Sequence, residues 1–167
     1  MSPEVTLQTE DNHDLFEIVE HVLGSLGWQY DRESYNSIQC IAPTRWGEMG
    51  CLFACRLDPA ALHFSLTLDV KPQSARKAVI SELVMLMNEQ LWLGHFDFWI
   101  EDEVIIFRHA LPLAGRMAPG SGEVQAVLTA ALQAAEQFVP AFNFVIWAGK
   151  SPAEAMAAAM FETDGEA

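Results

Sequence analysis

His95, Asp97 and Trp99 stand at every second position of one apolar-rich segment, and Arg108 and His109 follow in the next. A period of two puts the first three on one face of a strand. A tight acidic turn around Glu101 to Glu103 folds the second segment back antiparallel, so that Arg108 or His109 lies across from Asp97. A carboxylate flanked by imidazole and guanidinium can move a proton or grip a polar ligand. Opposite charges on neighbouring strands also stabilise a hairpin without any ligand. That structural reading is preferred, so no catalytic residue is assigned. His95, Asp97, Trp99, Arg108 and His109 are candidate contacts for a ligand or partner.

Other reactive residue types are scattered. Cys51 and Cys55 fall on one face of a strand, but four residues at about 3.3 Å each separate them by about 13 Å, too far to share one metal ion. The histidines at 13, 21, 63, 95 and 109 belong to different segments, and none forms a metal-binding helical pair. The phosphate-cradling glycine loops G-x-G-x-x-G and G-x-x-x-x-G-K-[ST] do not occur, nor does the G-x-S-x-G nucleophile elbow. Neither a metal nor a cofactor is expected.

Charge restricts the partners. Nine Lys and Arg against 23 Asp and Glu give a net charge of -14, a field that repels phosphate backbones and anionic headgroups. Nucleic acid and membrane surfaces are poor partners. The charge serves solubility, or presents an acidic face to a basic protein. Three cysteines, Cys40, Cys51 and Cys55, cannot all pair with one another and read as small core hydrophobes kept reduced. The polar, acidic first ten residues do not resemble a secretion signal, and no apolar run approaches the ~20 residues of a membrane span. The expected compartment is the cytoplasm.

The elements that must position these residues follow from periodicity. Asp11 or Asn12 can cap a helix through Leu15, Ile18, Val19, Val22, Leu23 and Leu26, closed by Gly27. Trp28 to Ile41 is β-rich, with a hairpin turn expected at Asp31 to Ser34. Met49, Cys51, Phe53, Cys55 and Leu57 alternate until Asp58-Pro59. Leu62, Phe64, Leu66, Leu68 and Val70 then make the clearest half-buried strand. Ser74 to Leu93 is helical, His95 to Glu101 and Glu103 to Leu111 are strands, and Gly115 to Gly122 is a loop. Ser121 is expected to cap a third helix that breaks or kinks at Pro140. Ser151, Pro152 and Glu154 supply the cap, first-turn proline and third-position carboxylate of a last short helix.

Strand runs segregated from helices predict an α+β fold with a largely antiparallel sheet and helices packed on it. At 167 residues, folding buries roughly 70% of the chain's surface, enough for one core. A flexible tail over 1–11 and a single domain over 12–167 are expected. Phe138, Phe142, Phe144 and Trp147 lie in a segment apolar around nearly its whole circumference. Such a helix needs cover from the sheet, the last helix or another subunit, which makes these four a candidate homodimer interface.

The run Leu86-Met87-Asn88-Glu89-Gln90-Leu91-Trp92-Leu93-Gly94-His95-Phe96-Asp97 resembles bacterial YbjN-like proteins, as do Phe107 to Leu111 and Phe144 to Pro152. The resemblance runs from about Asp14 to Ala167. It implies a fold similar to type III secretion chaperones, frequent homodimers, and a role in sensory transduction without an established enzymatic activity. It carries over no site residues. Two functions follow as expectations. The first is a non-enzymatic regulator or chaperone-like module that holds a protein segment in an apolar groove or on a sheet face. The alternative is a small-molecule sensor or enzyme centred on His95, Asp97 and Arg108.

Overall fold

A computed structural model describes residues 11–164. The tail expected over 1–11 lies, apart from Asp11, outside the described residues. A six-stranded sheet is built from β1 (Tyr30–Ser34), β2 (Ser37–Thr44), β3 (Gly47–Leu57), β4 (Ala60–Thr67), β5 (His95–Trp99) and β6 (Val104–Pro112). Every neighbouring pair is antiparallel, in the order β1-β2-β3-β4-β6-β5. The helices are α1 (Asp11–Ser25), α2 (Lys77–Asn88, after a 3-10 turn at Ser74–Arg76), α3 (Ser121–Ile146) and α4 (Pro152–Asp164). The α+β class and the antiparallel sheet are as the sequence predicts.

Alternation decides which side of the sheet is covered. Ile38, Phe53 and Phe64 face one another across β2, β3 and β4, and Phe107 and Phe96 pair on β6 and β5; all five are fully buried on the helix side. α3 crosses this face in contact with β2 and β6, with α1 and α2 against it, while α4 packs on α2 and α3. The ring of Phe96 meets Phe107, Phe138 and Phe142 edge-on, with centroids 5.6, 5.9 and 5.9 Å away. Such edge-to-face contacts add to the burial term. No helix packs on the other face among the described residues.

Several boundaries differ from expectation. The first hairpin turns at Tyr35 and Asn36, and Asp31 to Ser34 belong to β1. The Ser34 hydroxyl, hydrogen-bonded to Asn36 and Ser37, secures that turn. α2 ends at Asn88, earlier than Leu93. Ser121 is the first helical residue of α3, not its cap; Gly120 holds the cap position, and its N–H donates to Glu123 Oε2 at 2.7 Å. α3 also runs unbroken through Pro140 to Ile146. Pro140 has no N–H to give the carbonyl of Glu136 one turn earlier. The indole Nε1–H of Trp46, in the β2–β3 turn, donates to that carbonyl instead, at 2.9 Å. The cap of α4 is as expected: Ser151 N–H donates to Glu154 Oε2 at 3.0 Å, and Glu154 N–H to Ser151 Oγ at 3.3 Å.

Candidate functional site

β5 is an edge strand, and the motif around it is built to hold that edge. Asn88, the last residue of α2, accepts from the N–H of Phe96 at 2.7 Å and donates to its carbonyl at 3.0 Å. One side-chain amide thus imitates a neighbouring strand. Gly94, at φ +71°, immediately precedes β5, and a Cβ there would lie 2.2 Å from Phe107 Cζ. The recognisable run from Leu86 to Asp97 therefore spends Asn88, Gly94 and Phe96 on folding.

On the opposite, open face His95 pairs in register with Arg108. Arg108 Nε–H is directed at Asp97 Oδ2, 2.6 Å away, and at His95 Nε2, 3.1 Å away. His95 Nε2 lies 3.7 Å from Asp97 Oδ2. An ion pair between those two requires a protonated ring. The structure thus brings His95, Asp97 and Arg108 together. His109 does not join them. It pairs in register with Phe64 and lies on the helix side, where burial and then the His95 charge hold its pKa below the usual imidazole value. Trp99 shares the open face but sits two alternations beyond His95, paired with Val104.

His63 occupies the same open face on β4. Burial first, and then the Arg108, His95 and His109 charges, lower its pKa. The three central side chains are open to solvent, His95 at 46%, Asp97 at 31% and Arg108 at 39%. No wall excludes water from them. The Asp97 carboxylate already accepts the Arg108 Nε–H, so the group is built as an ion pair on a surface. Cys40 and Cys51 face each other across β2 and β3, and the Cys40 hydrogen bond, followed by burial, pushes the Cys51 thiol pKa up. A raised thiol pKa disfavours the thiolate that would act as a nucleophile. Among the described residues no group of three or more His, Cys, Asp or Glu could hold a metal ion.

Sequence reasoning missed a depression on the open face. On the open face, Gln39, Leu52, Ser65 and Arg108 form one cross-strand row, and Ile41, Gly50, Thr67 and Ile106 the next. Gly50, Ser65 and Thr67 are small and central; Ile41 rises on one side, Ile106, Val104 and Trp99 on the other. The result is a depression of about 620 Å³. Period-two alternation could have located these residues on one face, but their assembly needs the register of β4 on β6, two strands separated in sequence by α2 and β5.

The four aromatic residues proposed for an interface divide. Phe138 and Phe142 are fully buried within this chain, Phe144 is half-buried with the Lys150 ammonium 5.6 Å from its ring, and Trp147 is 67% exposed. Among the described residues no helix is long and apolar enough to cross a membrane.

Among the described residues the structure is an α+β domain in which helices cover one face of a six-stranded antiparallel sheet and leave the other face open. The chain belongs to the YbjN family, described as a putative bacterial sensory transduction regulator, whose sequence profile matches residues 16–144. No curated protein matches the chain.

Proposed function

We propose that this protein is a non-enzymatic regulatory module of the cytoplasm that acts by holding a segment of another protein, with the open sheet face as its docking surface. The observation that supports this reading is the depression, where exposed Ile41 and Trp99 stand beside half-buried Leu52 and Val104 on an uncovered face. Contiguous exposed apolar surface of this kind marks interaction sites, and sheet surfaces and grooves commonly receive peptide segments. The chaperone-like behaviour implied by the family resemblance is of the same type.

A photo-crosslinking amino acid placed at Leu52 tests this in cells. It should yield one reproducible protein adduct, absent when the probe stands at Met85 on α2. Identical adducts from both positions, or none from Leu52 across growth conditions, would refute the docking face.

A second reading has its own support, because the depression reaches Ser65, which pairs with Arg108 beside Asp97. A small amphipathic metabolite could lie there. At 100 times its dissociation constant it would add about 2.7 kcal/mol to stability, easily seen in a thermal-shift screen. A flat screen across metabolite classes would remove this reading. The homodimer stays within the proposal, with the exposed Trp147 and Phe161 as available surface. Light scattering should then give twice the chain mass, and Trp147→Ser should lower it.

A further inference from the structure

The open face of the sheet is graded in size and in charge. A Cβ built on Gly50 would meet nothing within 4 Å, so this glycine leaves space at the floor of the depression. Aliphatic and aromatic walls around a floor of small side chains suit one large apolar side chain. The volume of about 620 Å³ leaves room for backbone on either side of it.

Charge is concentrated at one end. Glu48 precedes Gly50 by one alternation on β3, and Asp69 follows Thr67 by one alternation past β4; both are exposed. Glu101 and Asp102, exposed in the β5–β6 turn, lie just past Trp99. Lys71, two residues past Asp69, and Arg45, in the β2–β3 turn before Glu48, add two positive charges near this end, fewer than the acidic ones. Asp31 is the charged residue among those lining the depression, and Arg108, toward the opposite end, is already met by Asp97. The field over the apolar floor is therefore negative on the Glu48 side.

We propose that the depression anchors one aromatic or branched aliphatic side chain of an extended partner segment, and that the acidic end of the same face selects segments carrying Lys or Arg beside that anchor. This rests on the docking face argued above and adds the chemistry of its occupant.

Short synthetic peptides with a central Phe or Leu, flanked by Lys, Ser or Glu, provide the probe, with binding read by fluorescence anisotropy on the full chain. Lys-flanked peptides should bind roughly tenfold tighter than Glu-flanked ones at low salt, and the gap should narrow as NaCl rises from about 20 to about 300 mM. Gly50→Phe should fill the depression and abolish binding while leaving the melting temperature near that of the wild type. Glu48→Gln with Asp69→Asn should weaken the Lys-flanked peptides alone. If Gly50→Phe fails to fold, Thr67→Met gives the same readout from the neighbouring strand.

Equal affinity for Lys- and Glu-flanked peptides would overturn the charge selection. Undiminished binding by a folded Gly50→Phe or Thr67→Met protein would overturn the anchor. Should no peptide bind, the inference falls. A Leu52 crosslink to a protein would then still stand for the docking face, which separates the two failures.

Discussion

Asp97 and Arg108 look like machinery in the sequence, and their geometry is good, yet both are open to water. Exposed ion pairs of this kind contribute at most about 1 kcal/mol, because solvent screens the attraction and two side chains must be ordered. Asp97→Ala should therefore lower the melting temperature by no more than about 2–4 °C, the shift expected for about 1 kcal/mol at this chain length. A scanning calorimetry loss well beyond that would show the trio to be a structural keystone. Gly94 should behave in the opposite way. A methyl group there must enter the Phe107 ring at a positive φ, and left-handed strain together with overpacking gives Gly94→Ala a cost of about 2–5 kcal/mol. Urea unfolding measures it, and a near-neutral result would mean that β5 can shift off β6. Residue type and spacing announce the first site in the sequence. They do not announce the second, because a glycine's necessity lies in the ring it faces across the sheet.

Helix α3 shows why local rules mislead at the level of the element. A proline in mid-helix reads as a break or kink; α3 is not broken there, and Trp46, far away in sequence, donates to the carbonyl of Glu136 that Pro140 leaves without a helical partner. Trp46→Phe should leave that carbonyl with no donor from either residue and cost about 1 kcal/mol. Pro140→Ala restores the backbone donor, so the same Trp46→Phe change should cost less in that background. Equal costs in a double-mutant cycle would show that the indole bond adds nothing. The start of α3 is anchored by charge. Glu123 takes two contacts from Arg116, at 2.7 and 3.1 Å, and the Gly120 N–H, and these hold its pKa at about 2. A lowered carboxylate pKa stabilises the fold fully above the unfolded value of about 4.3 and ceases to do so as pH falls through the folded one. Glu123→Gln should therefore melt earlier than wild type at neutral pH, and the two curves should converge between about pH 4.3 and pH 2. A gap that stays constant across that range would remove the electrostatic account. Where caps are local, as at Ser151 and Glu154, sequence sufficed; Gly120 escaped notice because its contribution is a backbone N–H, which no side chain advertises.

For the molecule as a whole, one sheet face is sealed and the other open, and alternation within each strand makes half of that visible in advance. Leu62, Phe64 and Leu66 identify the buried side of β4 without any structure, and their partners Cys55, Phe53 and Cys51 confirm it across β3. What alternation cannot show is whether the polar side meets water, a helix or another protein. Leu52 and Phe53 are adjacent in the chain, point to opposite faces, and so compare the two environments directly. Phe53 is fully buried, with its ring centroid 4.8 Å from that of Phe64, and Phe53→Ala should cost about 3–5 kcal/mol as a cavity opens in the core. Leu52 is flanked in register by Gln39 and Ser65, so Leu52→Glu should keep the fold and lose only about 1 kcal/mol or less, as surface changes away from special features do. Circular dichroism and light scattering on the two variants check this together. Loss of the fold in Leu52→Glu would mean that the open face is a buried surface of the assembled protein. A folded Leu52→Glu protein of unchanged mass would leave that face free to receive a partner.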